Sequence, residues 1–152
     1  MIALTLREVA QAVSGVLVAP ADVDVDTLVI DGPVVTDARE AGPGGLYVAR
    51  AGEQADGHDF IPDAVARGAV AALVTRAVDG VPCVVVADTQ DAYAALSLEV
   101  VRRLPDLEVV GITGSSGKTS TKDLLGSVLA TVGPTVAPVG SYNSEVGVPL
   151  TV

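Results

Sequence analysis

Val109-Val110-Gly111-Ile112-Thr113-Gly114-Ser115-Ser116-Gly117-Lys118-Thr119-Ser120 is the stretch that decides how this chain is read. Val109–Thr113 is apolar and β-branched enough for a strand. Gly114 and Gly117 allow a tight turn, and Lys118–Val132 carries apolar residues at helical spacing up to the stop at Gly133-Pro134. Thr135–Ala137 reads as a further strand. Strand, glycine turn, helix and strand in that order form a βαβ unit, which implies a parallel sheet.

The chemistry sits in the turn. Glycines let the backbone point its N–H groups inward, and with the start of the following helix they form a cradle for phosphate oxygens. Lys118 supplies a positive charge that reaches the terminal phosphates, and the Thr119 hydroxyl can hold a nucleotide-bound Mg²⁺. The common phosphate-loop pattern G-x-x-x-x-G-K-[ST] is not met strictly, because Ile112 stands five positions before Gly117. The structural alternative is a glycine turn joining strand to helix, with Lys118 merely solvated. Composition argues for the phosphate reading: Lys118 and Lys122 are the chain's two lysines.

Upstream the pattern differs. Thr5 can cap a helix bearing Leu6, Val9, Ala10 and Val13, stopped by Gly15. Val16–Val18, Thr27–Ile30, Val34–Thr36, Leu46–Ala49, Ala69–Val74 and Val81–Ala87 read as strands. Asp59 or His58 can cap a helix over Phe60–Arg67, and Asp88 one that carries Tyr93, Leu96, Val100 and Leu104 to Pro105. Tyr47, Phe60 and Tyr93 are expected in the core. The fold expected is α/β: a small mixed-sheet domain over 1–104, then the start of a parallel-sheet nucleotide domain over 105–152, cut off at Val152.

Bulk properties narrow the function. The 152 residues are 49% hydrophobic but only 3% aromatic, so Val, Ala and Leu must fill the core. A net charge of −10 disfavours sequence-independent binding of nucleic acid or anionic lipid. Cys83, the single cysteine, lies in an apolar run and cannot form an internal disulfide. The first fifteen residues lack the apolar stretch of a signal peptide, and no run is long enough to span a membrane. A soluble cytoplasmic protein is expected. His58, the only histidine, has no grouped partners for a metal or catalytic role and is read as a loop-bonding residue.

Thr113-Gly114-Ser115-Ser116-Gly117-Lys118-Thr119 fits the T-G-x-x-G-K-T variant and resembles the Mur ligases of peptidoglycan synthesis and their relatives. Within that family Gly114–Ser120 is similar to the MurF type. So is Asn143-Ser144-Glu145-Val146-Gly147-Val148-Pro149-Leu150-Thr151, with Ser144 where Asn is common. A third stretch resembles the family's N-terminal uridine-diphosphate-binding domain: Thr36-Asp37-Ala38-Arg39, Pro43–Ala49, and Asp56-Gly57-His58-Asp59-Phe60-Ile61.

The resemblance implies an ATP- and Mg²⁺-dependent amide ligase that joins D-alanyl-D-alanine to UDP-N-acetylmuramoyl-tripeptide through an acyl phosphate. It implies a monomer. ATP would lie on Gly114, Ser115, Ser116, Gly117, Lys118, Thr119 and Ser120, with Lys118 and Thr119 catalytic and Thr119 on the metal. The substrate would meet Thr36, Asp37, Ala38, Arg39, Glu53, Gln54, Ala55 and Asn143. Ala38 has no hydroxyl to donate, so contact there falls to the backbone. The alternatives are a MurE-type ligase adding the third amino acid, and a UDP-sugar-binding module without activity of its own.

Overall fold

The computed structural model describes residues 2–52 and 55–138. In chain order the elements are β1 (Leu4–Thr5), α1 (Leu6–Ala12), β2 (Val16–Val18), β3 (Val29–Ile30), β4 (Val34–Val35), β5 (Gly45–Val48), α2 (Ile61–Ala66), β6 (Ala69–Val74), β7 (Cys83–Val85), α3 (Thr89–Arg102) and α4 (Lys118–Leu129). One-turn 3₁₀ helices at Ala38–Glu40 and Gly57–Phe60 follow β4 and precede α2.

The sheet is mixed, in the order β2-β7-β6-β5-β4, with β1 and β3 paired separately. The pairs β4–β5, β5–β6 and β6–β7 are parallel, and β2 joins β7 antiparallel. Strands buried on both faces read as unbroken apolar runs, and β6 (AVAALV) is such a run. Leu46, Val48, Ala71, Leu73 and Val84 pack on one face with Leu6 and Val9 of α1 and Tyr93 and Leu96 of α3. Tyr47, Ala49, Ala72, Val74 and Cys83 pack on the other with Ile61 and Ala64 of α2. Small residues on β6 let the helices approach closely, as a core poor in aromatics requires. The α/β class and mixed sheet follow the sequence reading.

At the starts of the strands the backbone crosses itself without room for side chains. A Cβ on Gly32 would come within 2.2 Å of the Pro43 carbonyl oxygen, and one on Gly68 within 2.8 Å of the Pro43 backbone. Gly68 also has φ +110°, which only glycine adopts readily.

Several expected boundaries shift. The strand expected over Thr27–Ile30 is confined to Val29–Ile30, and that over Val81–Ala87 to Cys83–Val85. Asp56, rather than Asp59 or His58, caps the 3₁₀ turn before α2. Phe60 is 43% exposed instead of core, because that turn carries its ring to the outer side. The α3 helix ends at Arg102, short of Leu104. Val109–Thr113 and Thr135–Ala137 form no strand. A parallel strand needs paired neighbours and covered faces, and Val109 (73%) and Val136 (78%) are exposed. The intervening helix does form, but none of its residues is buried.

The two ends of the first unit are joined by charge. Thr5 and Glu8 form a reciprocal capping box at the start of α1. The Glu8 carboxylate also accepts from the Arg103 guanidinium at 2.7 Å, and Arg103 donates to Glu99 at 2.8 Å. The Arg103 hydrogen bond first, and those from Thr5 next, pull the Glu8 carboxyl down to about 2 from an ordinary 4.5. A carboxyl depressed in the folded state adds stability above its unfolded value and loses it as pH falls through the folded one. Glu8→Gln should therefore lower the thermal midpoint at neutral pH. Melts of both proteins should converge between about 4.5 and about 2; a pH-independent difference would show that the charge is not the cause.

Candidate functional site

In a parallel arrangement, the loops that follow neighbouring strands emerge at one edge of the sheet, where ligands of open α/β sheets bind. Here β4, β5 and β6 are adjacent and parallel. Their exits are Thr36–Arg39, the turn over 50–56, and Thr75-Arg76. Thr36–Arg39 and, of the second segment read from the sequence, Ala55 thus follow adjacent parallel strands. Thr75 and Arg76 stand beside them and were not singled out; the available signal was a polar pair at the end of a buried apolar strand.

Each exit has its own lock. Asp37 caps the Ala38–Glu40 turn by accepting from the Arg39 N–H at 2.9 Å, and its carboxylate takes the Arg39 guanidinium at 2.5 Å. Those contacts, the side chain's before the backbone's, hold the Asp37 carboxyl at about 2. The Arg39 side chain remains 84% exposed. The Ala38 methyl is buried in the core, which leaves the backbone as its means of contact.

After β5 the backbone folds tightly on itself. Gly57 N–H donates to the Arg50 carbonyl at 2.8 Å, and Gly52 N–H to Ala55 at 2.9 Å. The buried Tyr47 hydroxyl donates to the Gly57 carbonyl at 3.0 Å. A Cβ on Gly57 would lie 2.6 Å from both the N and O of Arg50. Ala55 is exposed at the turn; Glu53 and Gln54 lie outside the described residues. Asp56 accepts from the His58 N–H at 2.9 Å, from its ring Nδ1 at 2.6 Å and from Arg76 at 2.8 Å. The His58 contacts, and then Arg76, keep the Asp56 carboxyl well below the usual carboxylate range. The imidazole is 3% exposed and reaches Thr75. It is a loop-bonding residue, as the sequence indicated.

The downstream segment holds its own candidate site. Gly114 and Gly117 take φ of +153° and +77°, and Gly117 sits at the N-cap of α4 with no capping side chain. Lys118, Thr119 and Ser120 make the first turn of that helix. An N-terminus entered through glycine presents backbone N–H groups and the positive end of the helix dipole, which suits an anion. The Lys118 ammonium lies across the loop and donates to the Gly114 carbonyl at 2.6 Å, so a cation already stands at its mouth. Ser115 and Ser116 form the bend between the glycines. These features fit a nucleotide's phosphates. Among the described residues no group of three His, Cys, Asp or Glu could hold a metal. The Thr119 hydroxyl stands in the first turn of α4, and a single hydroxyl suits an ion held largely by phosphate and water. Asn143 lies outside the described residues.

Residues 33–110 match the Mur ligase family, catalytic domain, and residues 112–152 the Mur ligase middle domain. The chain is 42% identical to the UDP-N-acetylmuramoyl-tripeptide–D-alanyl-D-alanine ligase of Mycobacterium tuberculosis (strain ATCC 25618 / H37Rv), covering all of this chain and 34% of that protein. It is 40% identical to the ligase of the same name from Escherichia coli (strain K12), over 99% of this chain and 32% of the relative. A crystal structure of MurF from Acinetobacter baumannii superposes with a TM-score of 0.84 at 35% identity, over 98% of this chain and 32% of that one. The MurF ligase from Thermotoga maritima in complex with ADP gives 0.66 at 35% identity, over 82% and 29%. The chain spans about a third of the length of these relatives. With the strand-exit edge, the glycine-entered helix and both family matches in agreement, the chain belongs to the Mur ligase family.

Proposed function

We propose that this chain carries the substrate-recognition and phosphate-loop parts of a MurF-type ligase, which adds D-alanyl-D-alanine to UDP-N-acetylmuramoyl-tripeptide. Residues 1–104 form the UDP-sugar-binding domain and residues 105–152 open the ATP-binding domain. The observation that carries the reading is the uncapped, glycine-entered start of α4 with Lys118 held across its loop. The MurE-type alternative is not favoured, because the similar proteins named above are D-alanyl-D-alanine ligases or MurF structures.

In this mechanism the γ-phosphoryl group of ATP moves to the substrate carboxylate, giving an acyl phosphate and ADP. The amine of D-alanyl-D-alanine attacks the acyl carbon, the amide forms, phosphate leaves and the amine gives up a proton. Such chemistry is chiefly positioning and charge neutralisation. Lys118 and the Gly114–Thr119 backbone hold the phosphates, and Thr119 is the residue here that would hold Mg²⁺, which neutralises phosphate charge when bound. Thr36–Arg39 with Glu53, Gln54 and Ala55 hold the uridine diphosphate end, and Asn143 is a further substrate-binding residue. The protein works as a cytoplasmic monomer, where ATP and nucleotide-activated precursors are made. Among the described residues no helix is long and apolar enough to cross a membrane.

Titrating UDP into the chain should shift amide resonances at Thr36–Arg39 and around Ala51, Gly52 and Ala55. Shifts confined to Gly114–Thr119 would sink the assignment of the first site.

In a protein of the relatives' full length, Lys118→Ala should lower ATP-, tripeptide- and dipeptide-dependent phosphate release roughly 10²–10³-fold, the typical cost of losing one preorganised group that stabilises transition-state charge. UDP binding and the thermal midpoint should stay unchanged, since Lys118 supports no core. Near-normal turnover would reduce the loop to a strand–helix connection.

A further inference from the structure

The turn after β5 is closed by backbone bonds from Gly52 to Ala55 and from Gly57 to Arg50. Of its described residues, Ala51, Gly52 and Ala55 are exposed and carry no side chain able to hydrogen-bond. Its base is held from outside, by Asp56 and His58. Thr75 N–H, which can only donate, lies 3.2 Å from His58 Nε2. Nε2 must therefore accept, the ring proton belongs on Nδ1, and it is given to Asp56 Oδ1 at 2.6 Å. The second Asp56 oxygen takes Arg76 at 2.8 Å. Both oxygens of the carboxylate are thus tied, directly or through the ring, to two consecutive residues at the end of β6. The ring is buried, so water cannot readily stand in for a lost contact.

We propose that His58 is a positioning residue of the nucleotide-sugar site: its buried ring transmits the position of the β6 terminus through Asp56 to Ala55 and the backbone bond that closes the turn at Gly52, and so sets affinity for the uridine diphosphate end of the substrate. This rests on the assignment of that turn to the UDP site. The ring touches no reacting group; it acts through the turn. Its two nitrogens have separate duties, which two isosteric amides can separate. His58→Asn keeps a donor near the Nδ1 position for Asp56 but falls short of Thr75. His58→Gln keeps an acceptor near the Nε2 position for Thr75 but has no donor for Asp56.

The test measures UDP affinity of the 152-residue chain by calorimetry, with melting curves and ligand-free amide spectra of each variant. Each amide variant should weaken UDP binding roughly tenfold, as expected for a lost hydrogen bond in a charged network. The ligand-free resonances of Gly52 and Ala55 should move in both. A purely structural role would lower the melting temperature and leave the affinity of the folded protein alone. Wild-type affinity in a folded His58→Asn or His58→Gln overturns the inference. Arg76→Ala removes an exposed partner of the same carboxylate and keeps the test decisive if the buried variants unfold. It should weaken UDP binding about threefold, in the range of a partly exposed ion pair, and unchanged affinity there also overturns the inference. Absence of UDP binding by the wild-type chain would instead remove the site itself, and this inference with it.

Discussion

Parallel pairing of β4, β5 and β6 is the constraint on which the rest of the first unit depends. Parallel strands need crossovers, and those crossovers must cover the faces of the sheet. The connection from β5 to β6 does so with α2 over Tyr47, Ala72 and Val74, while α1 and α3 cover Leu46, Leu73 and Val84. The same direction of travel delivers three loops to one edge. The loops gather there because parallel strands give them no other edge at which to emerge. Their side chains then lock one another: Asp37 with Arg39, and Asp56 with His58 and Arg76.

How much of this was legible in the sequence depends on the range of the forces involved. The α1 cap at Thr5 and the α3 cap at Asp88 were readable because a capping bond spans only two or three residues. The Ala69–Val74 strand was readable because burial on both faces makes it uniformly apolar. Phe60 was misplaced because a 3₁₀ turn rotates side chains differently from an α-helix, and no local signal announces that change. Thr75 and Arg76 were missed because their importance comes from residues seventeen to twenty positions earlier, brought near only by strand order.

The phosphate loop shows the opposite balance. Its glycine turn and helix start were legible at once, since two glycines followed by a helical pattern act locally. Its expected strands, Val109–Thr113 and Thr135–Ala137, are not formed, because a strand is a property of its neighbours and none among the described residues pairs with them. The helix between them needs no partner for its hydrogen bonds and is present. Together the two segments separate what a motif specifies from what a sheet must supply.

The backbone crossings at Gly32 and Gly68 divide the first unit into two zones of different evolutionary freedom. At the strand starts, main chain lies against main chain around Pro43, and even an added methyl group would wedge the strands apart. At the opposite edge, Gly57 is packed as tightly against Arg50, but Ala51, Gly52 and Ala55 are exposed and leave room for new side chains. Added side chains are therefore tolerated at those exposed positions of the strand ends, while the starts act as a fixed foundation.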